Sequence, residues 1–113
     1  MVYDHHKIQN IKFKLPRVEC PEPVEGQWLV YLLECKDGSL YCGCTDNIVR
    51  RLYEHNKGIG AQWTKIRRPL QLVYFEFWNS LLKARQRELQ IKGWRNVKKL
   101  NLITGIWSNL NKK

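Results

Sequence analysis

At 113 residues and 13.6 kDa the chain has room for one domain with a single modest core, and 43% hydrophobic residues with five tryptophans exclude a disordered polypeptide. Twenty Lys and Arg against ten Asp and Glu give a net charge of +10 and a pI near 9.7, which directs a compact domain toward a polyanion. No run reaches the roughly 18 apolar residues of a membrane span and no charged start leads into an apolar signal core, so the expectation is a soluble, cytoplasmic protein with no membrane partner.

Residues 1–26 sum to zero charge, with Asp4, Glu19, Glu22 and Glu25 against Lys7, Lys12, Lys14 and Arg17, and contain Pro16, Pro21 and Pro23. They read as an N-terminal tail or linker ahead of a domain at 27–113, with partial alternation at Ile11, Phe13 and Leu15 compatible with an edge strand. His5 and His6 are adjacent, point apart in most backbones and read as exposed. The entire basic excess, 16 bases against 6 acids, belongs to residues 27–113.

Trp28 to Cys35 is a near-continuous apolar strand, Asp37-Gly38 marks a turn, and Leu40 to Cys44 is a returning strand. Tyr31 and Tyr41 sit one on each strand, and Gly43 leaves space for another backbone or a ligand to approach. Both tyrosines reach one face only if the loop has odd length or the hairpin carries a bulge, because a two-residue turn would pair Glu34 with Tyr41 and part them. A three- or five-residue loop is therefore expected.

Thr45 or Asp46 can cap a helix that runs to about Asn56 and stops at Gly58. Ile48 and Leu52 form its apolar stripe, and Asn47, Arg51 and His55 a stripe beside it at the boundary of core and solvent. Gly58 to Pro69 is a loop whose cations Lys65, Arg67 and Arg68 surround Trp63, a composition suited to phosphates and a stacked base or sugar. Leu70 to Phe77 is a third strand, apolar enough to be placed centrally in the sheet. Asn79 or Ser80 caps a second helix, Leu81 to Lys92, ended near Gly93. On it Glu88 shares an arc with Leu81, Ala84 and Ile91, and a carboxylate near a core face must be paired or bind a metal; Lys92 and Arg85 are the candidate ion partners. Asn96 to Ile103 reads as a third helix, with Trp107 and Leu110 folding back beyond it. Cys35, Cys42 and Cys44 lack paired zinc spacing and read as reduced strand residues.

Strand, turn, strand, helix, strand, helix, with two tyrosines ten residues apart, an arginine ten beyond the second and a later helical glutamate, resembles the GIY-YIG nuclease family, closest to its small stand-alone bacterial members. The likeness covers roughly residues 27–103. Val30-Tyr31 matches the first motif and Tyr41-Cys42-Gly43 the second, followed by Thr45-Asp46 through Arg50-Arg51-Leu52-Tyr53-Glu54-His55-Asn56, then Ala61, Trp63-Thr64 and Arg67-Arg68-Pro69, then Ala84 to Lys92. Leu29 replaces the glycine that names the first motif, Cys42 the isoleucine of the second, and Cys44 a lysine of related repair nucleases. The late asparagine of larger members has two candidates, Asn96 and Asn101.

The resemblance implies an α+β fold, a small three-stranded antiparallel sheet flanked by helices, and a metal-dependent DNA endonuclease. In it Glu88 holds one divalent ion, Mg²⁺ or Mn²⁺, and no small-molecule cofactor is expected. Arg51 offers a planar fork to the scissile phosphate. Tyr31 or Tyr41 serves as general base or aligns the water, as a phenolate held by Arg51, the metal or a protonated His55. Gly43, Trp63, Lys65, Arg67 and Arg68 are the nucleic-acid-binding set. Two alternatives stand beside this: a basic nucleic-acid-binding module that does not cut, and a zinc or thiol-redox protein using the cysteines.

Overall fold

The structure, a computed structural model, describes residues 13–105. Its elements are β1 (Trp28–Cys35), β2 (Leu40–Thr45), α1 (Ile48–Lys57), the single turn α2 (Gln62–Lys65), β3 (Leu70–Trp78), α3 (Leu81–Lys92) and α4 (Asn96–Thr104). The fold is α+β, with one antiparallel sheet in the order β2-β1-β3. His5, His6, Ile11, Trp107 and Leu110 lie outside the described residues.

Register decides which side chains meet. Glu34 pairs with Leu40 and Tyr31 with Gly43, and Cys35 N–H donates to Ser39 C=O, so the loop is the three residues Lys36, Asp37 and Gly38. Gly38 takes φ +85°, which a glycine adopts without strain. The odd loop gives Tyr31, Leu33, Tyr41 and Gly43 one face. On β3 the register against β1 shifts between Leu32 and Leu33, which face Tyr74 and Leu72. That bulge lets Leu72 and Phe75, three residues apart, serve the tyrosine face together.

Helices cover both faces. Leu29, Tyr31, Leu33, Cys35, Leu70 and Leu72 pack with Ile48 and Leu52 of α1. Behind the sheet, Val30, Leu32, Cys42 and Val73 pack with Ala84 and Ile91 of α3 and Leu102 of α4. β1 is therefore buried on both sides, which explains its unbroken apolar run.

Three local expectations change. Asn47 caps α1, its side chain accepting from Arg50 N–H, because Thr45 still belongs to β2 and its hydroxyl accepts Asn47 N–H. β3 is an edge strand, not a central one. Its apolar character has another cause, since helices cover its faces and the segment before β1 lies along its free edge, where Val18 N–H donates to Leu72 C=O at 2.8 Å. That segment, read as a tail, packs in part: Leu15, Val18 and Cys20 lie against the two cores. Its backbone also satisfies Glu34, a buried carboxylate that accepts Lys14 N–H at 2.9 Å, Leu15 N–H at 3.1 Å and the Gln71 amide at 3.2 Å.

Candidate active site

The tyrosine face and α1 build one constellation. Tyr31 projects from β1 and is 1% exposed. It lies across Gly43 of β2, where an added Cβ would overlap the phenol oxygen and stand 2.5 Å from Cζ. The space that Gly43 opens is thus taken by Tyr31, and the close approach expected of a ligand is made by the protein itself. Tyr41, two residues earlier on β2, is half-buried beside it, with ring centroids 6.4 Å apart.

α1 supplies Arg51 and His55, one helical turn apart. The Tyr31 Oη is 3.1 Å from His55 Nε2, and His55 Nδ1 is 2.9 Å from Thr64 Oγ1 on α2. Arg51 lies close enough for its charge to act on the Tyr31 phenol and the His55 ring, and its Nη1 pairs with Glu54 at 3.1 Å. His55, expected at the boundary of core and solvent, is fully buried. Burial, with the Arg51 charge beside it, pushes its pKa down to about 4. A neutral imidazole at pH 7 replaces the protonated His55 that would have helped a phenolate. Burial likewise raises the Tyr31 phenol well above its ordinary value, with the neighbouring Tyr41 adding to it, so Tyr31 is held in its neutral form.

Trp63 and Arg67 are engaged inside the protein. Trp63 stacks on Tyr41 at 6.0 Å and 26°, and the Arg67 guanidinium lies 3.9 Å over the Trp63 ring. Arg67 also donates to Trp63 C=O at 2.8 Å and makes an ionic contact with Asp37 of the hairpin loop, Nε to Oδ2 at 3.3 Å. The loop composition suggested a phosphate and base platform; within the protein these two brace Tyr41, and Trp63, 40% exposed, keeps part of its ring open to solvent. Lys65 and Arg68 remain exposed on α2 and just after it, Arg68 donating to Lys65 C=O.

Glu88 comes from α3, behind the sheet at its β2 edge. Its backbone carbonyl lies 3.9 Å from Cys42 Sγ, and its charge reaches the Tyr31 phenol and the Cys44 thiol. Its side chain is 14% exposed and paired with Lys92 Nζ at 2.8 Å, one of the two ion partners considered from the sequence. Among the described residues no three His, Cys, Asp or Glu gather at a possible metal site, so the cysteines offer no zinc centre there. Sequence reasoning missed Thr64, Asp37 and Gly60 as supports; a Cβ at Gly60 would stand 2.6 Å from His55 Nδ1. Each acts through a contact made after a turn of chain, and spacing carries no signal of it.

A fold with two tyrosines over a glycine, an arginine and histidine on the following helix and a glutamate on a later one defines a member of the GIY-YIG family, and the chain belongs to it: residues 27–101 match the GIY-YIG catalytic domain, an endonuclease-type domain. Its relatives include the UPF0213 protein of Staphylococcus saprophyticus, 49% identical over 66% of this chain and 92% of the relative, and that of Clostridium perfringens, 48% identical over 66% and 81%. The solution NMR structure of the UPF0213 protein BH0048 from Bacillus halodurans is 37% identical, covers 76% of this chain and 95% of that one, and superposes with a TM-score of 0.47.

Proposed function

We propose that this protein is a metal-dependent endonuclease that hydrolyses phosphodiester bonds in DNA. The observation that carries this reading is the convergence on one sheet face of Tyr31, Tyr41, Arg51 and His55, with the Glu88 charge within reach of the same phenol. Binding alone requires no such set, which weakens the non-cutting module.

Arg51 is held by Glu54 beside the Tyr31 phenol and presents its planar fork to the scissile phosphate, where it stabilises charge developing on the phosphoryl oxygens. Tyr41, the more accessible tyrosine, aligns the attacking water, with Trp63 and Arg67 bracing its ring. Tyr31 and His55 act beneath them as buried supports. A lone carboxylate at the site margin fits a hard ion such as Mg²⁺, which keeps most of its shell as water and substrate oxygen, and Glu88 would hold it after yielding its contact with Lys92. When bound, the ion supplies Lewis-acid charge at the phosphoryl oxygens and acidifies water.

The charge distribution supports a path for DNA along α3 and α4. Residues 79–113 hold nine Lys or Arg and one acid, Glu88. Arg85 and Lys92 stand three residues before and four after Glu88, on the same side of α3, and both bear on the Cys44 thiol at the β2 edge. Duplex drawn along α3 and α4 therefore passes the tyrosine pair. The test is incubation with duplex, nicked, branched and single-stranded DNA with and without Mg²⁺. Wild type is expected to cut one of these only with the ion, and Glu88→Gln to bind at least as tightly without cutting. Tight binding with no cleavage of any substrate in Mg²⁺ or Mn²⁺ would establish the binding module instead.

A further inference from the structure

We infer that Thr64 is a positioning residue of this site, ending a one-way chain of hydrogen bonds that sets the His55 tautomer and, through it, the orientation of the Tyr31 hydroxyl beside Arg51. The functional half of this inference rests on the nuclease reading; the chain itself does not.

One group of fixed polarity defines the chain. Thr64 Oγ1 lies 2.8 Å from Ala61 C=O, a group that can only accept. The Thr64 hydroxyl has one hydrogen, given to that carbonyl, and so meets His55 as an acceptor. His55 Nδ1, 2.9 Å away, is therefore the protonated ring nitrogen and donates to it. A buried neutral imidazole then leaves Nε2 bare, and the Tyr31 O–H donates to it at 3.1 Å.

The surroundings confine the chain to these partners. His55 and Thr64 are both fully buried, and Gly60 closes over Nδ1. A valine at position 64 keeps the shape and removes the acceptor. The Nδ1–H would then be buried without a partner, and the ring is relieved by moving its proton to Nε2. Two donors, Nε2–H and Tyr31 O–H, would face each other, and the phenol hydroxyl would turn its hydrogen toward Arg51, away from the orientation the site requires.

The experiment is long-range ¹⁵N–¹H correlation NMR of the histidine ring nitrogens in full-length protein near neutral pH, with His55 assigned through His55→Asn. Wild type and Thr64→Ser are expected to show Nδ1 protonated and Nε2 bare, and Thr64→Val to show the opposite. In parallel, Thr64→Val should slow cleavage at saturating DNA by on the order of 10-fold or more with unchanged affinity, and Thr64→Ser should restore it. A protonated Nε2 in the wild type, or a Thr64→Val protein that retains both the Nδ1–H tautomer and the wild-type rate, overturns the proposal. Should Thr64→Val fail to fold, the wild-type and Thr64→Ser spectra decide, a protonated Nε2 in either overturning it. The expected tautomers in a protein that cuts no DNA uphold the chain and refute the nuclease reading. Cleavage with the opposite tautomer refutes the chain alone.

Discussion

Gly43→Ala is the smallest change that tests how the site is held. One methyl group would be placed inside the Tyr31 phenol, 2.5 Å from Cζ and 2.9 Å from Cε2, and the ring has nowhere to retreat because it is 1% exposed. Overpacking of this kind costs about 1–3 kcal/mol. If the ring moves, the Tyr31–His55 hydrogen bond opens and two buried polar atoms lose their partner, a further ~1–3 kcal/mol. The two together come to about 2–6 kcal/mol. At roughly 4–8 °C per kcal/mol for a domain of this size, the melting temperature should fall by at least about 8 °C. Thermal unfolding by circular dichroism measures this, and the rate at saturating DNA, read below the new midpoint, should fall with it as Tyr31 leaves His55. A Gly43→Ala protein that melts within about 2 °C of the wild type and cuts at the same rate would refute the packing argument, because such overlap costs ~1 kcal/mol or more wherever the structure cannot yield.

Three further outcomes are expected. His55 has a folded pKa of about 4 against about 6.5 in an unfolded chain, so below pH ~6.5 protons bind preferentially to the unfolded state; stability falls as pH drops through that window by about 3 kcal/mol, and urea titrations at several pH values should show a shallower fall in His55→Asn. Deleting residues 1–25 removes the packing of Leu15 and Val18 and strips buried Glu34 of two amide donors, so it should destabilise the domain by ~2 kcal/mol or more; an unchanged melting temperature would show that the segment does not pack. Arg85→Ala and Arg95→Ala should each weaken DNA binding and lower the log–log salt slope by about one, while Arg67→Ala, whose guanidinium is held by Asp37 and Trp63, should slow cleavage and leave the slope unchanged.

The sequence by itself determined the order of the strands and the three longer helices (though not the turn α2 inside the expected loop 58–69), the limits of the hairpin, α1 and α3 within a residue or two, and the candidates Tyr31, Tyr41, Arg51, His55 and Glu88. Those are local matters: alternation, helical period, turn chemistry at Asp37-Gly38 and motif spacing all act over a few residues. Parity alone required an odd loop or a bulge for both tyrosines to share a face, and the register supplied an odd loop. What only the tertiary structure decided lies between segments far apart in the chain. An apolar strand reads alike whether a second strand or a packed segment covers its edge, so β3 was placed centrally until residues 14–20 were seen along it. Cations beside a tryptophan carry no sign in the sequence that Asp37, thirty residues earlier, makes an ionic contact with Arg67. The charge state of His55 depends on its removal from water, and desolvation is set by everything packed around a group rather than by its neighbours in the chain.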